Sequence, residues 1–266
     1  MIRALCIASG SSGNCTYIEA GGAKILVDAG ISAKRIVEAL MAIDVDPAEL
    51  DAVFLTHEHT DHIAGLPVFL RKLRIPVYGT YETLQAVMTA DRRGSLPPEL
   101  FRSIQPGVIT TVRDAVVSAC SISHDAAKPV SYSIVSGRNK IAIATDLGCY
   151  DDTIVRHLSD ADAVIIESNY DRDMLLVGPY PYALKRRIMG AYGHLSNDDC
   201  GSLMISLLHP KLKYVILGHL SKDNNFPALA FESAKATLLK NWHYTEPIPK
   251  LLVAPRDNPS ELISIG

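Results

Sequence analysis

The chain has few aromatic rings, with one tryptophan and five phenylalanines in 266 residues, and almost no net charge, at −3. It also lacks any apolar run of the roughly 18 residues that a membrane helix needs. Each shortage excludes something. A near-neutral balance, with a pI of about 6.3, argues against bulk attraction to nucleic acid, although bound divalent cations would reverse the potential locally. The five cysteines, Cys6, Cys15, Cys120, Cys149 and Cys200, are an odd set without a C-x-x-C pair. That excludes a disulfide framework and fits a reducing cytoplasm. The opening "MIRALCIASGSSG" reaches Gly-rich sequence too soon for a signal peptide and reads as a first strand. No linker or internal repeat divides the chain, so one domain over residues 1–266 is expected.

Strands dominate the start. "IRALCIA" and "CTYIEAGGAKILVDAG" predict three strands, the last two joined through Gly21-Gly22 as a hairpin. The 3.6-residue spacing predicts a helix over 32–43, with Ile36, Leu40 and Met41 on one face. "DAVFLTH" and "PVYGT" are short buried strands, each followed by a helix. Then "AVVSACSISHD", "VSYSIVS" and "NKIAIATD" predict three strands of a second sheet. "DAVIIESN", "KYVILGH" and "KLLVAP" add further strands, separated by helices near 151–159, 180–190, 196–208 and 226–241. The rhythm is doubled, strands first and helices afterwards, as in two stacked sheets with helices outside.

What the chain does have is histidine and aspartate in a repeated place. "AVFLTHEHTDHIAGLPVFLRK" packs His57, His59, Asp61 and His62 just after a buried strand. His124, Asp146 and His219 each follow another predicted strand. Strand ends gather on one edge of a stacked-sheet core, where loops carry sites. Imidazole nitrogen and carboxylate oxygen suit a borderline divalent cation such as zinc, and manganese or iron would also accept them. The spacing suggests one ion on His57, His59 and His124, a second on Asp61, His62 and His219, and Asp146 between them. His157, His209 and His243 fall outside this pattern. The zinc helix H-E-x-x-H is excluded, because position 61 is Asp.

"THEHTDHIAGL" resembles the T-H-x-H-x-D-H signature of the metallo-β-lactamase superfamily, with Asp28 in "ILVDAG" similar to its upstream structural aspartate. The resemblance runs from about residue 6 to 226. It implies an α/β fold, the four-layer αββα sandwich of two mixed β-sheets flanked by helices, and a single hydrolase domain. Glu167 and His194 resemble the Glu/His pair of ribonuclease Z-like phosphodiesterases. There the His meets the scissile phosphate as a candidate proton donor and the Glu orients it. Asp61 would then be ligand and orienter of the attacking water.

"SGSSGNCTYIE", "SHDAAKPVSYSI", "ESNYDRDML", "YPYALKRRI" and "GHLSKDNNFPALA" together resemble the YycJ/WalJ family, a cytoplasmic branch. That resemblance implies a 5′→3′ double-strand DNA exonuclease with two divalent metal ions, acting on nucleic acid without a membrane. The alternative is a small-molecule hydrolase of the same fold, a thioesterase, lactonase or cyclic phosphodiesterase. Residues that would grip a nucleic acid are the loop Ser11, Ser12, Gly13 and Asn14, whose backbone N–H groups suit a phosphate, and Lys185, Arg186 and Arg187. Asn224 and Asn225 would contact substrate or shape the next helix start. The basic groups Arg71, Lys72 and Arg74, and Arg92 and Arg93, read as solvated helix faces.

Overall fold

A computed structural model describes residues 1–91 and 94–266; the basic pair Arg92 and Arg93 lies outside the described residues. The hydrophobic pattern is spent on two seven-stranded sheets. The first contains β1 (Ile2–Ala8), β2 (Cys15–Ala20), β3 (Ala23–Val27), β4 (Ala52–Phe54), β5 (Val77–Thr80) and β6 (Phe101–Ile104) in chain order. Its other edge is β14 (Ile263–Ile265), which pairs antiparallel with β1. The second contains β7 (Ile109–Val112), β8 (Ala115–Ser121), β9 (Val130–Ser136), β10 (Asn139–Ala144), β11 (Ala163–Glu167), β12 (Tyr214–Gly218) and β13 (Lys250–Val253), also in chain order.

Alternation along each strand decides which face meets what. Ile25, Val27, Ala52 and Phe54 point inward and meet Tyr132, Ile134, Ile143 and Ile165 of the facing sheet. Leu26, Val53 and Leu55 point outward and are covered by α1 (Ala33–Met41), α3 (Leu66–Lys72) and α4 (Tyr81–Ala90). On the far side, Ala142, Val164, Ile166 and Val215 are covered by α5 (Asp152–Leu158), α8 (Asn197–Leu207) and α9 (Pro227–Asn241). The order is helices, sheet, sheet, helices. It is the αββα sandwich expected above.

Local sequence sets the boundaries. The β2–β3 turn uses Gly21 and Gly22 at φ 57° and 76°, the positive values a tight hairpin requires. Ser32, Thr80, Asp151 and Ser196 cap α1, α4, α5 and α8 through side-chain oxygens that accept N–H groups of the first turn. One expectation needs adjusting. Helix α1 stops at Met41, which is 58% exposed, so its buried face is Ala33, Ile36, Ala39 and Leu40. Asp61 and His62 lie on a separate one-turn helix, α2 (Thr60–Ile63), ahead of α3.

The sheets are mixed, and this positions the site. Strands β3 to β6 run parallel, and so do β10 to β13. Strand β8 runs the same way as β10, because both are antiparallel to β9. The C-terminal ends of β3, β4, β8, β10, β11 and β12 therefore deliver the residues that follow them to one rim.

Candidate metal centre

His57, His59, Asp61 and His62 follow β4, His124 follows β8, Asp146 follows β10 and His219 follows β12. All seven converge. Donor atoms of His57, His59 and His124 lie within 4.8 Å of one another, as do those of Asp61, His62 and His219. Asp146 faces both sets: Oδ2 is 3.2 Å from His62 Nε2, while Oδ1 is 3.4 Å from His219 Nε2 and 3.8 Å from His124 Nε2.

Backbone geometry aims these donors. Asp28, Asp146 and His219 come directly or one residue after parallel strands, with φ of 61°, 58° and 55°. The left-handed region costs a non-glycine residue about 1 kcal/mol or more. Gly30 lets the α2 turn close in: a Cβ there would sit 1.6 Å from the Asp61 carbonyl oxygen.

A second layer of polar groups fixes the rings. His62 Nδ1 lies 2.7 Å from Asp28 Oδ2, and Asp28 also accepts the Thr56 amide and hydroxyl at 2.8 and 2.9 Å. Thr56 Oγ1 lies 3.0 Å from His57 Nδ1. His124 Nδ1 faces the Gly193 carbonyl at 3.1 Å, and His219 Nδ1 faces Glu167 Oε1 at 2.7 Å. In each pair one ring nitrogen is occupied and the other is left for the centre, the arrangement metal-binding imidazoles need. His57 Nε2 is buried without a hydrogen-bond partner, and His219 Nε2 and Asp146 Oδ2 face only other members of the cluster. Orphaned buried acceptors are costly, and a cation among them would satisfy all three. The residues present thus fit divalent metal.

With protons as the only counter-ions, the cluster polarises. Burial pushes Asp146 up, but His219 and His62 outweigh it and hold the carboxyl well below its usual range. Burial pushes His62 and His219 down, and the neighbouring carboxylates reverse this. His62 is held well above its ordinary value, chiefly by Asp28, and His219 is raised to about 10, chiefly by Asp146. His57, desolvated and crowded by His62, is held well below the ordinary imidazole value.

Glu167 ends β11 and is fully buried, and His194 precedes α8. His194 Nδ1 lies 2.8 Å from Glu167 Oε1. The other oxygen, Oε2, accepts the amides of Leu147 and Leu195 at 2.7 and 3.2 Å. Burial raises the Glu167 carboxyl, but the His194 and His219 rings bring it down to about 2. Burial lowers His194, and Glu167 more than compensates, so the imidazole is raised. Its ring centroid is 5.2 Å from those of both His124 and His219.

The expected grip residues divide. Ser11 and Ser12 are exposed, whereas Gly13 and Asn14 are buried. Asn14 is a brace: Oδ1 accepts the Gly10 amide at 2.9 Å, and Nδ2 lies 3.3 Å from Asp61 Oδ2 and 3.0 Å from His62 Nε2. On α7 (Tyr182–Ile188), Lys185 donates to the Leu176 and Gly178 carbonyls at the end of α6 (Arg172–Val177), both at 2.7 Å. Arg187 pairs with Asp125 at 2.6 Å, next to His124. Arg186 is exposed, 6.0 Å from the Tyr182 ring centroid. Asn225 is buried against Asn197, Ser168 and Asn169, so it shapes the α9 entry. The bracing roles of Ser9, Thr56 and Asn169 are not among the sequence expectations: Ser9 Oγ accepts the His219 amide at 2.8 Å, and Asn169 Nδ2 donates to the His219 carbonyl at 2.8 Å. Only Thr56 had a signal, a polar residue between a buried strand and His57.

A sandwich with two adjoining His/Asp clusters at one rim defines a dinuclear-metal hydrolase. Residues 8–219 match the Metallo-beta-lactamase superfamily, and the chain belongs to it. It is 38% identical over 224 residues to "Exodeoxyribonuclease WalJ" of Streptococcus pneumoniae serotype 2 (strain D39 / NCTC 7466), covering 84% of this chain and 83% of that protein. It is 36% identical over 232 residues to "Exodeoxyribonuclease YycJ" of Bacillus anthracis, covering 87% of each. Among solved structures, the metallo-beta-lactamase fold protein YhfI from Bacillus subtilis superposes with a TM-score of 0.73 at 17% identity, over 97% of this chain and 98% of that one. No helix among the described residues is long and apolar enough to cross a membrane.

Proposed function

We propose that this protein is a phosphodiesterase acting on DNA, a 5′→3′ double-strand exonuclease working in the cytoplasm as one hydrolase domain over residues 1–266. The observation that carries the reading is the Glu167–His194 pair, 2.8 Å apart at the edge of the clusters. A thioesterase expels a thiolate, a good leaving group, and has less need of a proton donor opposite its metals than an enzyme expelling an alkoxide from a phosphate. The similarity to proteins named WalJ and YycJ supports the same choice.

One cation is assigned to His57, His59 and His124, the other to Asp61, His62 and His219, with Asp146 between them. Zinc suits this mixed set, as do manganese and iron. When bound, the pair supplies Lewis acidity and an activated water. The chain's own residues do the rest. Asp61 orients the attacking water. Glu167 holds the His194 ring through Nδ1, which leaves Nε2 to donate a proton to the departing oxygen or a hydrogen bond to the phosphate. Ser11 and Ser12 offer amides and hydroxyls to the backbone, with Gly13 and Asn14 setting the loop. Arg186 faces solvent for a phosphate, and Lys185 and Arg187 position the segment that carries His194.

The test is metal analysis with a substrate panel: 5′-phosphorylated duplex DNA, single-stranded RNA, bis-p-nitrophenyl phosphate and a thioester. Nucleotide release from the duplex is expected. Turnover of the thioester alone would overturn the reading in favour of a small-molecule hydrolase.

A further inference from the structure

Next to the candidate metal centre, the turn after β12 opens into a separate cavity of about 200 Å³, lined by Ser9, Ser221, Lys222, Asn225, Phe226 and Arg256. The two share a wall. Ser9 Oγ accepts the His219 amide at 2.8 Å, and Leu220, the next residue, also lines the cavity.

Arg256 enters from the segment after β13. Its Nη2 donates to the Leu220 carbonyl at 2.5 Å, and Nη1 lies 3.5 Å from Ser11 Oγ. The guanidinium packs over Gly10, where a Cβ would come within 2.9 Å of Nη1. Among the described residues, neither Arg256 nor the exposed Lys222 forms an ion pair with a carboxylate. Ser9 Oγ and Ser221 Oγ each accept a backbone amide, from His219 and from Asn224, so each still has its own proton to donate. Two cations without counter-ions and two hydroxyl donors around one hollow make a receptor for an oxyanion. Its volume is several times the roughly 30 Å³ share of one water, enough for a phosphate group.

We propose that this cavity is a second phosphate subsite, in which Arg256 and Lys222 hold the phosphate next to the scissile one. The proposal rests on the phosphodiesterase reading above, because a polynucleotide brings phosphates at regular intervals past the centre. A substrate with two phosphates would span both places, while a simple diester would use the metal centre alone.

The experiment compares wild type, Arg256→Met and Lys222→Met, all metal-loaded, on 5′-phosphorylated duplex DNA, 5′-hydroxyl duplex DNA and bis-p-nitrophenyl phosphate. Losing one charge-assisted contact should lower kcat/KM of Arg256→Met on duplex by about 10–100-fold, mainly through KM. Lys222→Met should cost about 3–10-fold, since its ammonium is exposed. Hydrolysis of the small diester should stay within about twofold. A loss confined to the 5′-phosphorylated duplex identifies the terminal phosphate as occupant, and an equal loss on both duplexes identifies an internal one. Undiminished duplex cleavage by both variants overturns the subsite. An equal fall on the small diester also overturns it, because Arg256 would then merely brace the Leu220 carbonyl. Should Arg256→Met fail to fold, Lys222→Met decides by itself. A wild type that cleaves the small diester but neither duplex sinks the DNA reading and the subsite together.

Discussion

His194 and His219 share one acceptor. Oxygen Oε1 of Glu167 lies 2.8 Å from Nδ1 of the first and 2.7 Å from Nδ1 of the second. The carboxylate thus orients the proposed proton donor and a proposed metal ligand at once, and its Oε2 is pinned by two backbone amides. Glu167→Gln sets an amide against donors whichever way it turns. Metal affinity should fall by about 10–100-fold along with turnover. Retention of full metal with only slow turnover would show that Glu167 serves His194 alone.

His194→Ala is the complementary variant. The ring's Nδ1 is also 3.8 Å from Asp146 Oδ1, beyond hydrogen-bond reach, and Glu167 keeps its bonds to His219 and two amides without the ring, so metal content should stay at the wild-type level. Turnover should fall by about 10²–10⁴-fold, the usual worth of a positioned proton donor. Loss of metal would move His194 from donor to ligand.

Asp146→Ala removes a carboxylate that faces both clusters. Elemental analysis should find both ions depleted, not one. Selective loss of a single ion would assign Asp146 to that ion.

Asn14→Ala strips the brace from the α2 turn and leaves the buried Gly10 amide without its acceptor. Unfolding should become easier by about 1–3 kcal/mol. The ion at Asp61, His62 and His219 should be the weaker one on titration with a chelator. Equal loosening of both ions would count against this role.

His157, away from the centre, gives a pH signature. Burial, then the Lys140 ammonium, hold its imidazole down to about 4. The unfolded chain keeps the ordinary value of about 6.5. Between these values the unfolded state binds a proton that the folded state refuses, so this contribution is complete above about pH 6.5 and shrinks as pH falls toward 4. Wild type should lose about 2 kcal/mol more than His157→Gln between about pH 7.5 and about pH 5. Parallel losses would refute it.

The core was readable because its strands are apolar runs in which facing and covering residues alternate, as at Ile25, Leu26 and Val27. The edges were not. Strands β6 and β7, "FRSI" and "ITTV", expose half or more of their residues and carry little hydrophobic signal. Strand β14 is only Ile263–Ile265, and its partner begins at Ile2, at the other end of the chain. The convergence of the His and Asp residues was readable because each follows a strand. The braces were not: Ser9 and Asn169 are ordinary polar residues until the fold sets them against His219. Lys185 illustrates the reverse. In sequence it belongs to a basic run, yet its ammonium is spent on two helix-end carbonyls.

The left-handed backbone at Asp28, Asp146 and His219 means the protein stores unfavourable conformation along the edge that would carry its ions. Ion binding would repay that debt and couple metal supply to endurance of the fold. Under divalent-ion starvation, this rim would be the first part of the sandwich to exchange its amide hydrogens and the first to be nicked by a protease. A shortage of metal would then shorten the lifetime of the enzyme as well as silence it.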